Sequence, residues 1–175
     1  MALKTDIRGM VWQYPDRYEV GREKVREYAN AVGVKDPASY DEQAAAELGY
    51  DAIVAPLCFT ALFAKLIQVD FFRHVDVGFE TMQIVHVDQR FIYYKPVLAG
   101  DVLYGAMHIL SVDERFGADI VVTKSVCTND RGELVLEGYT TLMGQQSQNS
   151  TRLKWDKQSG QVVRVADSQP RVGAR

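Results

Sequence analysis

Three histidines, His74, His86 and His108, two cysteines, Cys58 and Cys127, and a few carboxylates are the side chains from which this 175-residue chain could build proton transfer, metal binding or nucleophilic attack. The histidines are too few and too scattered for a metal site. His86 and His108 fall in strand-like segments, where a half-exposed surface imidazole is the default. His74 follows Phe71-Phe72-Arg73 at the end of a helical run and suits a cation at a helix C-terminus. Cys58 and Cys127 lack a CxxC spacing and sit in apolar stretches, so both read as buried structural thiols in a reducing compartment. Asp51, Asp70 and Asp76 read as solvated charge. Gly100-Asp101 is a turn and not a phosphate loop, because no glycine-rich strand-to-helix unit accompanies it. In the run Gly33-Val34-Lys35-Asp36-Pro37-Ala38-Ser39-Tyr40, neither Val34 nor an unassisted Ser39 titrates usefully near neutral pH.

The elements that would position these residues change character near residue 80, from helical to strand-like, with no linker between the halves. Asp16 to Gly21 alternates as a short first strand, and Gly21 turns into a helix from Arg22 to about Val32 with Val25, Tyr28, Ala29 and Val32 on one face. Asp41 is the expected N-cap of Glu-Gln-Ala-Ala-Ala-Glu-Leu, which Gly49 stops in a left-handed conformation. Pro56 suits the first turn of a longer helix reaching about Arg73. That segment is apolar on nearly every face, and a helix of this kind must be wrapped. Met82 to Tyr94 reads as a strand, and Val102 to Val112, Ala118 to Thr128 and Glu133 to Met143 read as a meander with hairpins at 113–117 and 129–132. The order is that of a single α+β domain spanning residues 1–145. Residues 146–175 form a polar tail, partly flexible, interrupted by Leu153-Lys154-Trp155, with disorder expected from about Ala166.

Composition narrows the function classes. With 47% hydrophobic and 25% charged residues and a formal charge of −3, the chain carries no basic footprint for nucleic acid. Its start has no continuous apolar h-region and no segment reaches the ~18 uncharged apolar residues of a membrane span, so the expected location is the cytoplasm.

The motif Pro96-Val97-Leu98-Ala99-Gly100-Asp101-Val102-Leu103 and the run Ala55-Pro56-Leu57-Cys58-Phe59 resemble the hot-dog-fold, MaoC-like dehydratases of acyl thioesters. That resemblance implies a curved antiparallel sheet around a long central helix. With Tyr14-Pro15-Asp16, Ala45-Ala46-Glu47-Leu48-Gly49-Tyr50, Phe71-Phe72-Arg73-His74, Val87-Asp88-Gln89 and Tyr139-Thr140-Thr141-Leu142, the chain is similar to the accessory, C-type subunits of mycobacterial (3R)-hydroxyacyl-ACP dehydratases over about residues 1–165. In the catalytic members a run similar to Gly-Asp-x-Asn-Pro-(Ile/Leu)-His supplies the acid and base. Here Asp36-Pro37 takes the Asn-Pro place, Val34 the Asp place and Ser39 the His place.

The resemblance implies a lyase subunit that is not catalytic alone and needs no metal or redox cofactor. Its partners would be a catalytic hot-dog subunit, paired side by side as a heterodimer, and acyl carrier protein bearing a long 3-hydroxyacyl chain in fatty acid and mycolic acid elongation. Pro56, Leu57, Cys58, Phe59, Leu62, Phe63 and Leu66 are the candidate substrate-channel residues. A central helix touching a sheet needs most of these faces to fold, so a minority are expected to touch acyl chain. Two alternatives compete. One is a homodimeric hot-dog thioesterase using a carboxylate such as Asp70 to activate water, and the other is an acyl-binding module with no part in turnover.

Overall fold

Gly21 and Gly33 bracket the first helix, α1 (Arg22–Ala31), which buries Val25 and Ala29 and leaves Tyr28 half-buried. Val32, expected on the buried face, is exposed because the helix has ended there and Gly33 turns the chain at φ +73. In this computed structural model, residues 6–77, 82–115, 117–146 and 153–164 are described. The second helix, α2 (Glu42–Glu47), starts where Asp41 Oδ1 accepts the Ala44 N–H at 2.9 Å and stops at Gly49, whose φ of +86 only glycine adopts freely. Pro56 does not lie inside the third helix. Its ψ of 146° is extended, and the chain enters α3 (Thr60–His74) through a 3-10 turn, Leu57–Phe59.

Six strands form one antiparallel sheet. These are β1 (Val11–Gln13), β2 (Tyr18–Glu19), β3 (Met82–Tyr93), β4 (Val102–Arg115), β5 (Ala118–Asn129) and β6 (Leu134–Gln146), in the order β1-β4-β5-β6-β3 with β2 also on β4. The meander β4-β5-β6 is the expected one. The first strand expected at Asp16 to Gly21 shrinks to the two residues of β2, and β1 before it is a strand the alternation did not announce; Pro15, which has no N–H to donate, lies in the stretch between the two that leaves β4. On the opposite side of the sheet, β3 pairs among the described residues with β6 alone, and residues 84–90 are exposed.

Helix α3 lies against this sheet along one stripe, Thr60, Phe63, Ile67 and Phe71. Gly105 of β4 makes the approach possible, since a Cβ there would sit 2.8 Å from Phe63 Cε1 and also collide with Ile67 Cδ1. Aromatic rings fill the rest: Tyr18 stacks on Phe63 with centroids 5.5 Å apart, and Tyr14 meets the same ring edge-on at 5.7 Å. At the far end of the helix, Trp12 Nε1 donates to Asp70 Oδ2 at 2.9 Å and its ring packs edge-on against Phe71. The sheet covers this one stripe only. Ala61, Lys65 and Leu66 on the other side of α3 are exposed, so the wrapping expected for an all-apolar helix is half complete within one chain.

The tail holds structure that its polarity concealed. Leu153–Asp156 (β7) and Gln161–Arg164 (β8) form a separate two-stranded hairpin. Its turn is braced by Asp156, whose carboxylate accepts the N–H groups of Gln158 and Ser159, each at 3.1 Å. The disorder expected from Ala166 and the docking of the Trp155 side chain lie outside the described residues.

The contact at Gly105 predicts that Gly105→Ala destabilises the chain by about 1–3 kcal/mol through overpacking against Phe63 and Ile67. Urea unfolding followed by near-UV circular dichroism checks it; an unchanged midpoint would mean that the helix yields freely at this point.

Candidate functional site

The loop from Gly33 to Tyr40 is held on all sides by hydrogen bonds. Val34 N–H donates to the Ala29 carbonyl at 2.9 Å, and the Tyr40 hydroxyl returns to the Val34 carbonyl at 2.7 Å. Arg26 donates through both Nε and Nη2 to the Tyr40 carbonyl, at 2.9 and 2.7 Å. Asp36, in the Asn place of the motif, accepts the Ala38 N–H at 3.0 Å and caps the 3-10 turn Pro37–Ser39. Ser39 is buried and its Oγ donates to the Val54 carbonyl at 2.7 Å. The one proton that Ser39 owns is therefore committed to the backbone, and Val34 brings no polar atom on its side chain. The loop is braced along its length, and neither Val34 nor Ser39 offers a free acid or base.

Val54 leads into the head of α3, where two phenols converge on the 3-10 turn. Tyr28 donates to the Cys58 carbonyl and Tyr93 to the Leu57 carbonyl, each at 2.9 Å. Burial raises both phenol pKa values, and for Tyr28 the hydrogen bond to Cys58 adds to the effect, so both remain protonated donors at neutral pH. Leu57 and Cys58 themselves face outward, Leu57 with 67% of its surface exposed.

The seven channel candidates fall into two groups. Phe59 and Phe63, at 0% and 3% exposure, are core residues packed on Tyr28, Tyr18 and Tyr14. Leu57, Cys58 and Leu66 are exposed, while Pro56 and Leu62 are half-buried along the open side of the helix. The structure thus brings Pro56, Leu57 and Cys58 together beside the Ser39 loop, and leaves Leu62 and Leu66 further along the open side.

The remaining sequence candidates find structural partners. Asp70, the carboxylate considered for water activation, accepts from Trp12 and lies 3.5 Å from His74 Nδ1, with its side chain 14% exposed. His74 Nδ1–H also donates to the Asp70 carbonyl at 2.8 Å, and its ring lies over Trp12. Asp51 and Asp76 are exposed. The reading of both cysteines as buried is corrected for Cys58, because the 3-10 turn points it away from the core. Cys127 is buried among β-strand side chains, and desolvation, followed by the nearby Asp101 charge, raises its thiol from 9.0 to about 12. Among the described residues no three His, Cys, Asp or Glu side chains gather as metal ligands, and no helix is long and apolar enough to cross a membrane. Sequence reasoning missed a cavity of about 550 Å3 lined by Tyr14, Pro15, Asp16, Arg17, Glu19 and Tyr104. It sits over the β1–β2 connection, away from the Ser39 loop, and its Arg17 is paired with Glu19 at 2.8 Å.

A family model described as "FAS1-like, dehydratase domain region" matches residues 8–138. The chain belongs to this hot-dog, MaoC-like dehydratase family. A UPF0336 protein of Mycobacterium tuberculosis is 69% identical over 166 residues, 95% of this chain and 100% of that protein. A second UPF0336 protein of the same organism is 49% identical over 144 residues, 82% of this chain and 91% of that one. Among solved structures, the C terminal truncated HadBC (3R-hydroxyacyl-ACP dehydratase) complex from Mycobacterium tuberculosis contains a chain 66% identical to this one. The match covers 81% of this chain and 100% of that chain, with a TM-score of 0.76. The open antiparallel sheet on one long helix is the hot-dog fold, as the resemblance implied.

Two expectations follow for the family member described here. Ser39→Ala leaves the Val54 carbonyl unsatisfied and costs about 1–3 kcal/mol of unfolding free energy; chemical denaturation reads the loss, and an unchanged midpoint would mean that the bond contributes nothing. Because the folded Cys127 thiol has the higher pKa, its contribution is fully present below 9.0 and is lost as pH rises toward about 12. The Cys127→Ala variant should therefore lose less stability than the unchanged chain between those two pH values, as measured by chemical denaturation; parallel curves would contradict the assignment.

Proposed function

We propose that this chain is the noncatalytic, substrate-channel subunit of a heterodimeric (3R)-hydroxyacyl-ACP dehydratase acting on long acyl chains. The observation that carries the reading is the loop at Val34 and Ser39. The family's acid and base positions hold an aliphatic side chain and a hydroxyl whose proton is bound to Val54, while the loop itself is intact. A chain with this loop needs a partner that supplies the Asp and His.

Two unsatisfied surfaces support the same reading. The long edge strand β3 exposes Val85 and Val87, the latter by 55%, beside an unpaired row of backbone groups. Such an edge is a template for another strand, and a second hot-dog chain pairing there extends the sheet across both subunits. The open side of α3 provides the other surface, where Leu57, Ala61 and Leu66 are exposed beside Lys65. The higher identity to one UPF0336 protein of Mycobacterium tuberculosis, 69%, than to another, 49%, supports a division of labour among such chains.

In the proposed reaction the partner's histidine removes the C2 proton of the 3-hydroxyacyl thioester. The partner's aspartate assists departure of the C3 hydroxyl as water, which leaves the trans-2-enoyl thioester. This chain contributes wall and burial. Each methylene taken out of water against Leu57, Leu62 and Leu66 is worth about 0.8 kcal/mol, enough for a short apolar stripe to set chain preference. Asp70 does not favour the thioesterase alternative, since its carboxylate is engaged by Trp12 and lies at the opposite end of α3 from the Ser39 loop.

Hydration of a long trans-2-enoyl thioester, the reverse reaction, tests the proposal. It is measured with this chain alone and with the chain co-expressed with a hot-dog subunit carrying the Asp and His. Activity confined to the copurified pair is expected. Activity of the lone chain would overturn it, and a partner whose rate and chain-length profile ignore this chain would leave a binding module instead.

A further inference from the structure

Two phenols hold the turn Leu57–Phe59, and they come from elements that differ in how firmly they are themselves held. Tyr28 reaches the Cys58 carbonyl from α1, and its ring packs edge-on against the buried Phe59 with centroids 5.4 Å apart. That tie is internal to the core. Tyr93 reaches the Leu57 carbonyl from the last residue of β3, the edge strand bonded among the described residues to β6 alone. The Leu57 carbonyl also accepts from Thr60 Oγ1 at 3.2 Å, so the sheet edge and the helix head meet at this oxygen. Behind Tyr93 the strand has little slack. The Tyr93 ring lies 5.9 Å from that of Phe91, which is pressed onto β6 where Gly138 has no side chain; a Cβ there would stand 3.1 Å from Phe91 Cε1. A displacement of β3 is therefore carried through Phe91 and Tyr93 to Leu57.

We propose that Tyr93 is a positioning residue through which a second hot-dog subunit, paired along β3, fixes the head of α3. The inference rests on the heterodimer reading above. An edge strand bonded on one side opens locally more readily than one bonded on both. A strand added to the free side of β3 gives it a second row of hydrogen bonds, and the end of β3 then holds its phenol steadily against the Leu57 carbonyl. The turn carries Leu57, with 67% of its surface exposed, and the exposed Cys58 beside the Ser39 loop. Both side chains are thus held most firmly when the subunit that brings the acid and base is present. Tyr28 keeps the turn near the core in the lone chain, so pairing tightens an arrangement that already exists.

The test is amide hydrogen exchange of the full-length chain, alone and copurified with its Asp- and His-bearing partner. Phe59 is the reporter, because its N–H donates to the Pro56 carbonyl at 2.8 Å and exchanges when the turn opens. Pairing is expected to slow Phe59 exchange by about fivefold or more in the unchanged chain, the weight of one hydrogen bond, and by less than about twofold in Tyr93→Phe. Tyr28→Phe is the companion variant: its turn opens more readily in both states, while the slowing on pairing persists. Equal slowing in Tyr93→Phe and the unchanged chain overturns the proposal, since the partner would then merely cover the turn. So does a Phe59 rate that ignores pairing, or a slowing that Tyr28→Phe abolishes as fully as Tyr93→Phe. Size-exclusion chromatography keeps the two readings apart. If no Asp- and His-bearing hot-dog subunit pairs with the unchanged chain, the heterodimer reading falls; pairing without the Tyr93-dependent slowing removes the positioning role alone.

Discussion

Helix α3 is apolar around most of its circumference, and a single open sheet can cover only one side of it. What fixes that side is the absence of a side chain at Gly105, which lets Phe63 and Ile67 reach the backbone of β4. The aromatic cluster of Tyr14, Tyr18 and Phe59, the bolt from Trp12 to Asp70 and the placing of the helix head against Val54 all depend on the helix being seated there. So does the exposure of the remaining apolar stripe. Among the described residues the chain is left with an exposed apolar side of α3 and with β3 as an edge strand bonded on one side to β6.

The loop beside the helix head is fixed by hydrogen bonds to its own backbone and to α1. Asp36 caps the 3-10 turn, Ser39 and Tyr40 are bonded to backbone carbonyls and Arg26 is forked onto Tyr40. A histidine in the Ser39 position would need a proton to trade with substrate; the serine instead spends its proton on Val54. Rigidity of this kind fixes the head of α3 through the bond from Ser39 to Val54.

Much of the fold was legible from local chemistry. The Asp41 cap, the glycines at 33 and 49, the meander and the motif from Pro96 to Leu103 act over a few residues, and each stands where its residues dictate. Of the strand read at Asp16 to Gly21 only β2 pairs, and β1 was missed, because pairing with the distant β4 and not local alternation decides both. The hairpin β7–β8 was missed because its stability comes from an Asp turn and from contact with Arg73, more than eighty residues earlier in the chain. The cavity lined by Tyr14 and Tyr104 likewise joins residues ninety apart, with no spacing to announce it.

The sequence by itself determined the hot-dog class, the family and the absence of an acid and base at Val34 and Ser39, because residue type and short-range pattern carry that information directly. Only the tertiary structure decided which side of α3 is core and which is open, that Phe59 and Phe63 are filling while Leu57 and Leu66 face outward, and that Cys58 is exposed and Cys127 is not. An all-apolar helix has no periodic signal to choose its buried face. The choice is made where another segment, at Gly105, allows the closest approach.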